Sequence, residues 1–535
     1  MRLTMTGRWW GRLAAVVIVA LIATMPAGAQ TPAAKQELVV AIGTDTYRQD
    51  RVRGDVALSR VGGPAKTIFE TLVRLSRNYQ LESGLATSWE FVGRNTWRLT
   101  LRRGVRFHNG RPFTAAAVKW TFDRIAQAGG GTAVIGENSV KIVDDFTVEI
   151  TPTVPNVRLI EQIVHPTYGI VAPETFPGPA TEAGNRPTGT GPFRLAEYVR
   201  GNRLVVERNP DYWGQKPRLE RITFRFMPDA NTRVLALRSG EVGFAVGIPR
   251  EVANDLEKTP GLKIVRSPVG QYEAVYIAIH GQEPYVLGKE KAVRQAIAFG
   301  IDKGAVIKDV WQNNAIVSQT MIPPVMLGGH TGLVKGTAYD PARARRVLDE
   351  AGWRPGPDGI RVKGGRRLSL VMVVGFPSAE IHRPFPELAQ GSLRQVGIEI
   401  RILITPDVSS YEAQLGKGEG DLWVEAGNQN DANPCFLPDL LFYSKPGARQ
   451  ENEYGMLFGP GSAFDRLIEV CRTTADPERL REVAAQAMAL LIDQEFIVVP
   501  IAGTFNLLGL SERVQGFQPH PSGLNQGWEA VWISN

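Results

Sequence analysis

Strand and helix patterns alternate along two long parts of this chain, and that alternation restricts its fold more than any other feature. Residues 222–247 begin as a strand, continue through a helix that Asp229 can cap, and end as a second strand. Farther along, Asp340 and Gly352 bound an amphipathic helix, and two strand-like runs enclose another helix within 367–404. Because strand–helix–strand units suit a parallel sheet, the sequence predicts an α/β fold.

The alternation falls into two large regions with a smaller unit near the first. Residues 61–185 have the pattern of a compact mixed unit, and "TGTGPFRLAEYVRGNRLVVERNPDYWG" (188–214) predicts a hairpin followed by an aromatic turn. The apolar runs 496–503 and 505–510 both predict strands, which we expect to return to the sheet of the first region. Two lobes joined by crossing segments would then enclose a cleft.

The N-terminus has the pattern of a secretory signal peptide. Arg2, Arg8 and Arg12 precede the apolar run "LAAVVIVALIATM", and a small-residue cleavage site ends at Ala29. A membrane anchor, the alternative, would need about twenty apolar residues. We therefore predict that residues 1–29 are removed after Ala29 and that the protein is exported to the periplasm.

The distribution of charge argues against a nucleic-acid partner. The formal charge of +7 includes three leader arginines and no leader acid, so the exported chain carries +4. Basic residues are interspersed with acids, and the densest basic groups, at 342–346 and 364–367, are short. This pattern is typical of solvated helix and turn surfaces.

The sequence contains none of the common catalytic motifs. It lacks the G-x-S-x-G turn of serine hydrolases, the H-E-x-x-H zinc motif and the G-x-x-x-x-G-K-[ST] phosphate loop. The six histidines are scattered singly, without the spacing of metal ligands on a helix. The sequence therefore favours a protein that is not an enzyme and holds no metal or cofactor, with a secreted hydrolase as the alternative from another class.

Cys435 and Cys471 are the only two cysteines. In an exported protein such a pair is more often bridged than free, so a disulfide is predicted, with two free thiols as the alternative. Sequence spacing leaves open whether the two side chains meet.

Several segments, taken together, resemble one protein family. They are "IFETLVRLS" with "LATSWEF", "WRLTLRRGVRFHNGRPFTAAAVKWTFDRI", "TGTGPFRLAEY" with "RNPDYWG", "VRQAIAFGIDK" and "YDPARARRVLDEAGW". Their order over nearly the whole exported chain is similar to that of the extracytoplasmic solute-binding proteins of ABC importers, in the dipeptide, oligopeptide and nickel branch (family 5).

That resemblance implies a two-lobe periplasmic-binding-protein fold (type II, cluster C) with an additional domain in the first lobe. The expected parts are the signal peptide 1–29, lobe I from 30–60, 186–270 and 491–535, the additional domain 61–185, and lobe II 271–490. The hairpin at 188–214 would then carry the chain from the additional domain back into the sheet of lobe I.

The resemblance also implies a function without covalent chemistry. The lobes would close on a small solute by hinge motion, and the closed form would dock on the ABC permease subunits at the membrane. A peptide or peptide-like solute is expected; an opine, glutathione, a sugar or a metal chelate is the alternative within the family. We expect a monomer that needs no cofactor and binds no nucleic acid.

One further segment bears on the solute. In peptide-binding relatives, a tryptophan-bearing segment enters the cleft and carries an aspartate that pairs with the free amino group of the peptide. The similar segment here is "LWVEAGNQNDANP", and its candidate ligand-binding residues are Trp423, Glu425, Asn428, Asn430 and Asp431.

The match within this segment is open. Aligning Asp431 with the family's downstream acid puts Asn428 at the anchoring position, whereas counting from Trp423 leads to the neighbourhood of Glu425. Because a buried ammonium group without a partner is costly, either Glu425 or Asp431 supplies the charge or the solute lacks a free ammonium group. An ordinary polar turn is the alternative without a binding role.

Overall fold

The computed structural model describes most of the chain. The described residues are 31–43, 48–49, 56–57, 64–93, 95–127, 135–153, 157–173, 188–279, 281, 283–375, 384–429, 432–444, 461–522 and 527–535. The predicted signal peptide and its cleavage site after Ala29 lie outside these ranges. None of the helices within them combines the length and the apolar character needed to cross a bilayer.

Helices are distributed along the described chain between Ala65 and Gln494. The α-helices are Ala65–Ile68, Ala115–Gln127, Leu159–Gln162, Ala230–Arg238, Arg250–Leu256, Lys291–Gly300, Lys303–Ala305, Pro341–Glu350, Pro384–Arg394, Val408–Lys417, Phe436–Phe442, Ala463–Thr473 and Pro477–Ala489. The 3₁₀ segments are Pro166–Tyr168, Leu287–Lys289 and Pro324–Leu333, and the π-helical turns are Val306–Val310 and Leu490–Gln494. Short ribbons are formed by Arg48–Gln49 with Val56–Ala57, Val73–Leu75 with Leu81–Ser83, Val514–Gln515 with Trp532–Ile533, and Arg354–Pro355 with Arg361–Lys363 and Arg366–Arg367.

A seven-stranded sheet, here called sheet A, is the centre of the first lobe. In spatial order its strands are Phe193–Val199, Arg203–Arg208, Arg221–Phe226, Glu37–Ile42, Phe244–Val246, Leu507–Ser511 and Leu262–Arg266. The middle strand, Glu37–Ile42, is parallel to both Arg221–Phe226 and Phe244–Val246. A helix capped by the carboxylate of Asp229 connects those two neighbours, which is the parallel crossover that the sequence predicts.

The hairpin predicted within 188–214 lies at one edge of sheet A. Its strands, Phe193–Val199 and Arg203–Arg208, are antiparallel. Just before the hairpin, a Cβ at Gly191 would lie 2.5 Å from the carbonyl oxygen of Thr67, so this close approach of two main chains requires glycine. The prediction that the hairpin brings the chain into the first lobe's sheet is confirmed.

A six-stranded sheet, sheet B, is the centre of the second lobe. In spatial order its strands are Ala315–Val317, Val498–Thr504, Gln271–Ile277, Leu422–Asn428, Ser369–Val374 and Glu399–Ile404. The sequence predicts that the strand Val498–Thr504 belongs to the first lobe. That prediction is wrong, because the strand lies between two strands of sheet B. All seven residues of this strand are buried. Its sequence therefore lacks the alternation of polar and apolar residues that would indicate which strands it pairs with. The lobe boundary expected at 491 therefore moves beyond Thr504.

A four-stranded antiparallel sheet, sheet C, lies within residues 61–185. In spatial order its strands are Ala86–Gly93, Thr96–Leu101, Thr147–Ile150 and Val140–Asp144. The helix Ala115–Gln127 packs against it through Val118, Phe122 and Ile125, the apolar face that the sequence predicts. The extent of an additional domain at 61–185 stays a prediction.

Two helices of the second lobe, Ala463–Thr473 and Pro477–Ala489, share one core layer. The sulfur atoms of Cys435 and Cys471 are 2.05 Å apart in this layer, and both residues are buried. The bridge joins the start of the helix Phe436–Phe442 to the helix Ala463–Thr473.

Two short segments carry the chain between sheets A and B. Residues 267–270 lead from sheet A to sheet B, and residues 505–506 lead back. The amide of Ser267 donates to the Asn506 carbonyl at 3.0 Å, and the amide of Asn506 donates to the Ser267 hydroxyl at 2.9 Å. This paired crossing joins sheet A to sheet B.

Candidate ligand-binding site

The candidate segment 422–434 ends beside the crossing between the lobes. The amide of Gln429 donates to the carbonyl of Gly270, in the crossing, at 3.1 Å. Gln429 is fully buried, and its side-chain amide donates to the carbonyl of Asn433 at 2.9 Å. These bonds hold the segment where both lobes can reach it.

The first lobe meets this segment through Tyr79, and Pro521 approaches the crossing at Gly270. The hydroxyl oxygen of Tyr79 lies 3.5 Å from the carbonyl oxygen of Gln429. A Cβ on Gly270 would lie 1.9 Å from the carbonyl oxygen of Pro521 and 3.2 Å from the Tyr79 hydroxyl. Glycine is therefore required at 270 because the two lobes approach each other too closely for a side chain.

His520 holds the first-lobe side of this contact in place. Its Nε2 lies 2.9 Å from the carbonyl oxygen of Ser76, and its Nδ1 accepts from the amide of Ser522 at 3.2 Å. Burial lowers the pKa of His520 to about 4, so the imidazole is neutral near pH 7 and donates through Nε2. The ring thus positions the neighbouring Pro521 against the crossing.

Apolar side chains of the second lobe extend the contact between the lobes. Met326 is buried in the core beneath sheet C, and Ala432 packs against the same core. Met326 belongs to the segment Pro324–Leu333, which packs on the second-lobe helix Pro477–Ala489. The two lobes therefore touch beyond the crossing.

Trp423 is buried in the second lobe, and its contact with a ligand stays a prediction. The indole is 1% exposed and packs edge-on against Tyr411, with ring centroids 5.7 Å apart. In the sheet register Trp423 lies opposite Tyr276, and both belong to one core layer of the second lobe. Here the large apolar ring lies on a central strand and packs in the core. Sequence similarity alone does not distinguish such packing from contact with a ligand.

The other candidates are placed only in part. Glu425 and Asn428 are strand residues of sheet B, and the backbone of Glu425 pairs with Ala274. The side chains of Glu425 and Asn428, and the whole of Asn430 and Asp431, lie outside the described residues.

A buried carboxylate in the first lobe was not predicted from the sequence. Glu70 is 6% exposed and accepts hydrogen bonds from the hydroxyls of Tyr212 and Thr190 and from the indole of Trp213, at 2.8, 2.9 and 2.8 Å. Burial raises the pKa of Glu70, and the three donors oppose that rise. The only sequence signal for this carboxylate was the aromatic turn at 212–213, which we expected to pack over the end of the sheet. The hydroxyl of Tyr212 and the indole N–H of Trp213 need a hydrogen-bond acceptor when they are buried.

A shallow depression of the first lobe, too small to hold a water molecule, is lined by Ala65, Lys66, Phe69, Thr71, Pro166 and Gly169. Lys66 is the charged side chain of this lining. In the described part of the chain, no group of three or more histidine, cysteine or acidic side chains is arranged to hold a metal ion.

Comparison with known proteins gives concordant results. Residues 80–449 match the model of the family described as bacterial extracellular solute-binding proteins, family 5. The chain is 30% identical over 499 residues to the glutathione-binding protein GsiB of Salmonella choleraesuis (strain SC-B67), covering 91% of each chain.

Solved structures show the same fold. NikA from Brucella suis, in complex with Fe(III)-EDTA, superposes with a TM-score of 0.79 at 23% identity, covering 93% of this chain and 100% of NikA. DppA from Helicobacter pylori, in complex with the peptide STSA, superposes with a TM-score of 0.71 at 22% identity, covering 93% and 98%. With two lobes, a paired crossing and a family match over most of its length, the chain belongs to the family 5 solute-binding proteins of ABC importers.

Proposed function

We propose that this protein captures a peptide or peptide-like solute between its two lobes and delivers it to its permease. The observation that carries the proposal is the position of segment 422–434, which is bonded to the crossing at Gly270 and approached by Tyr79 from the other lobe. A solute bound there would contact both lobes only when they are closed, so its binding energy would favour the closed form.

The relatives are consistent with both classes of solute. One was solved with a bound peptide, another is named for binding glutathione, and a third was solved with Fe(III)-EDTA. An opine, glutathione, a sugar or a metal chelate is the alternative within the family, and a secreted hydrolase is the alternative outside it.

The proposed binding residues are Trp423, Glu425, Asn428, Asn430 and Asp431, and Trp423 is the buried member of this set. If the solute has a free ammonium group, one of the two acids pairs with it. Calorimetry on Glu425→Gln and Asp431→Asn tests this, because removal of a desolvated charge partner costs roughly 2–5 kcal/mol. Wild-type affinity in both variants would show that neither acid is the anchor. Wild-type affinity in Asn428→Ala would show that the segment has little part in recognition of the solute.

Export and assembly state are part of the proposal. We expect the leader to be cleaved after Ala29 and the mature protein to act as a periplasmic monomer. N-terminal sequencing of periplasmic material should begin at Gln30. A membrane-bound protein that retains its leader would contradict the prediction.

A thermal-shift panel of peptides, glutathione, opines, sugars and metal chelates tests the function as a whole. A true solute at a hundred times its dissociation constant adds about 2.7 kcal/mol of apparent stability. Mass spectrometry of the solute recovered after binding provides the control. Intact recovery supports a binding protein, whereas conversion of the solute would favour the hydrolase.

A further inference from the structure

Tyr272 carries a buried hydroxyl group that has no hydrogen-bond partner among the described residues. Tyr272 is 3% exposed and is the second residue of the strand Gln271–Ile277 in sheet B. A hydroxyl group that is taken out of water without a partner costs free energy, and most buried polar groups in folded proteins are paired. The hydroxyl of Tyr272 is therefore available to a bound group.

The register of sheet B places Tyr272 on the side of its strand where the two lobes meet. The amide of Gln429 donates to the carbonyl of Gly270, which continues the antiparallel ladder in which Tyr272 pairs with Gly427. Residues 270 and 272 therefore share one face of this extended segment. On that face, a Cβ at Gly270 would lie 3.2 Å from the hydroxyl oxygen of Tyr79, in the first lobe. Tyr272 thus lies two residues from the contact between the lobes and on the same face.

Both sheet neighbours of Tyr272 are glycines. Tyr272 pairs with Gly427 on one side and with Gly503 on the other. A Cβ at Gly503 would lie 3.4 Å from the Cε1 atom of Tyr272 and 2.7 Å from the side chain of Val269, a residue of the crossing. The phenol ring therefore lies beside the crossing, and across these three described strands Tyr272 supplies the only side chain of its row.

This row of sheet B is next to the candidate binding segment. Gly427 directly precedes Asn428, and Glu425 pairs with Ala274, two residues along the strand from Tyr272. Diagonal neighbours in an antiparallel pair are about 7–8 Å apart, a distance that an aromatic side chain can span. A solute held by residues 425–431 would therefore be within reach of the hydroxyl of Tyr272.

The chemistry of a phenol indicates which group of the solute it would bind. Burial raises the pKa of Tyr272 above its ordinary value, so the hydroxyl is protonated near pH 7 and can donate. One neutral donor suits a neutral carbonyl oxygen better than a carboxylate, which needs several donors or a cation when it is buried. We infer that the hydroxyl of Tyr272 donates a hydrogen bond to an amide carbonyl oxygen of the bound solute. This inference rests on the proposed function.

Tyr272→Phe tests the inference, because it removes one oxygen atom and keeps the ring. The probes are glutathione and the peptide STSA, and calorimetry at pH 7 measures their affinity. For the probe that binds, we expect the affinity of the variant to be about tenfold lower than that of wild type, since a carbonyl of the solute would lose its donor. Denaturant unfolding without solute should show no loss of stability, because the hydroxyl has no partner among the described residues.

Two other buried tyrosines provide matched controls. Tyr212→Phe removes a hydroxyl that donates to Glu70 at 2.8 Å, so it should lower stability and leave affinity unchanged. Tyr276 packs in the core layer of the second lobe, four residues farther from the crossing. Tyr276→Phe should therefore bind both probes as wild type does.

The outcomes separate this inference from the proposed function. If wild type binds a probe and Tyr272→Phe binds it equally well, the inference is overturned and the proposed function stands. A loss of stability in Tyr272→Phe with unchanged affinity would assign the hydroxyl to a buried water molecule, which also overturns the inference. If wild type binds neither probe, the peptide proposal is overturned and this inference with it.

Discussion

The guanidinium group of Arg158 donates a hydrogen bond of 2.5 Å to the main-chain carbonyl of Thr474, and this bond joins the two lobes. Arg158 lies in the first lobe and is also paired with Glu161 at 2.8 Å. Thr474 follows the last residue of the second-lobe helix Ala463–Thr473, where the helix dipole favours a cation. The contact is therefore suited to stabilising the closed arrangement.

Replacement of Arg158 by methionine should weaken solute binding without any loss of solute contacts. A hydrogen bond from a charged donor contributes about 1.5–3 kcal/mol, so we expect a rise of about tenfold or more in the dissociation constant. Small-angle scattering with saturating solute should show a larger fraction of open molecules. Arg98→Met is the matched control, since Arg98 pairs with Glu149 within sheet C alone. Equal affinity and scattering in Arg158→Met and wild type would contradict this role.

Gly270→Ala should disturb the crossing. The new methyl group would lie 1.9 Å from the Pro521 carbonyl oxygen, so the main chain must move. We expect a loss of about 1–3 kcal/mol in the free energy of unfolding, as for overpacking, together with weaker solute binding. Denaturant unfolding and calorimetry measure the two effects.

Gly391→Ala is the control for that substitution. Gly391 lies inside the helix Pro384–Arg394, and an added Cβ would meet nothing within 4 Å. Here alanine should stabilise the protein by about 0.5–1 kcal/mol, because glycine is unfavourable within a helix. If Gly270→Ala behaved like Gly391→Ala, the close approach of the lobes at 270 would be refuted.

The buried carboxyl group of Asp421 should make stability depend on pH. Burial raises its pKa to about 6, against the hydrogen bond that it accepts from the amide of Val371. Between the ordinary pKa of aspartate and about 6, the folded state holds a proton that the unfolded state has released. The contribution is therefore fully present below about pH 4 and is lost as the pH rises through about 6.

Asp421→Asn isolates this effect. Relative to the variant, wild type should gain about 3 kcal/mol in the free energy of unfolding as the pH falls from 7 to 3, since one pKa unit corresponds to about 1.4 kcal/mol. Comparison with the variant is needed because the lowered pKa of His520 acts in the opposite direction over part of this range. Parallel pH profiles for the two proteins would rule out a raised pKa at Asp421.

Cys435 and Cys471 should resist alkylation in the native, unreduced protein. The two positions are 36 residues apart, and a bridge across such a loop contributes on the order of 4 kcal/mol by the chain-entropy model. Replacement of both cysteines by alanine should lower the free energy of unfolding by a similar amount. Labelling of two thiols before reduction would disprove the bridge.

Features that depend on neighbours in sequence could be predicted from the sequence. Asp229 and Asp340 accept the expected main-chain hydrogen bonds at the starts of their helices, and Gly352 follows its helix with a positive φ of 87°. The hairpin strands and the apolar face of Ala115–Gln127 also follow from local periodicity. Each of these features depends on side-chain spacing and backbone preference within a few residues, and this information is present in the local sequence.

Tertiary structure alone decided which distant groups meet. The runs containing Val498–Thr504 and Leu507–Ser511 both predict strands, yet one pairs in sheet B and the other in sheet A. The donors to Glu70 come from residues 190–213, and the segment ending at Gln429 reaches the crossing at Gly270. Trp423 is buried because the second-lobe fold brings it between Tyr276, Tyr411 and other buried side chains of one core layer. Which side chains are buried and which strands pair depends on how all segments of the chain pack together. No local sequence pattern contains that information.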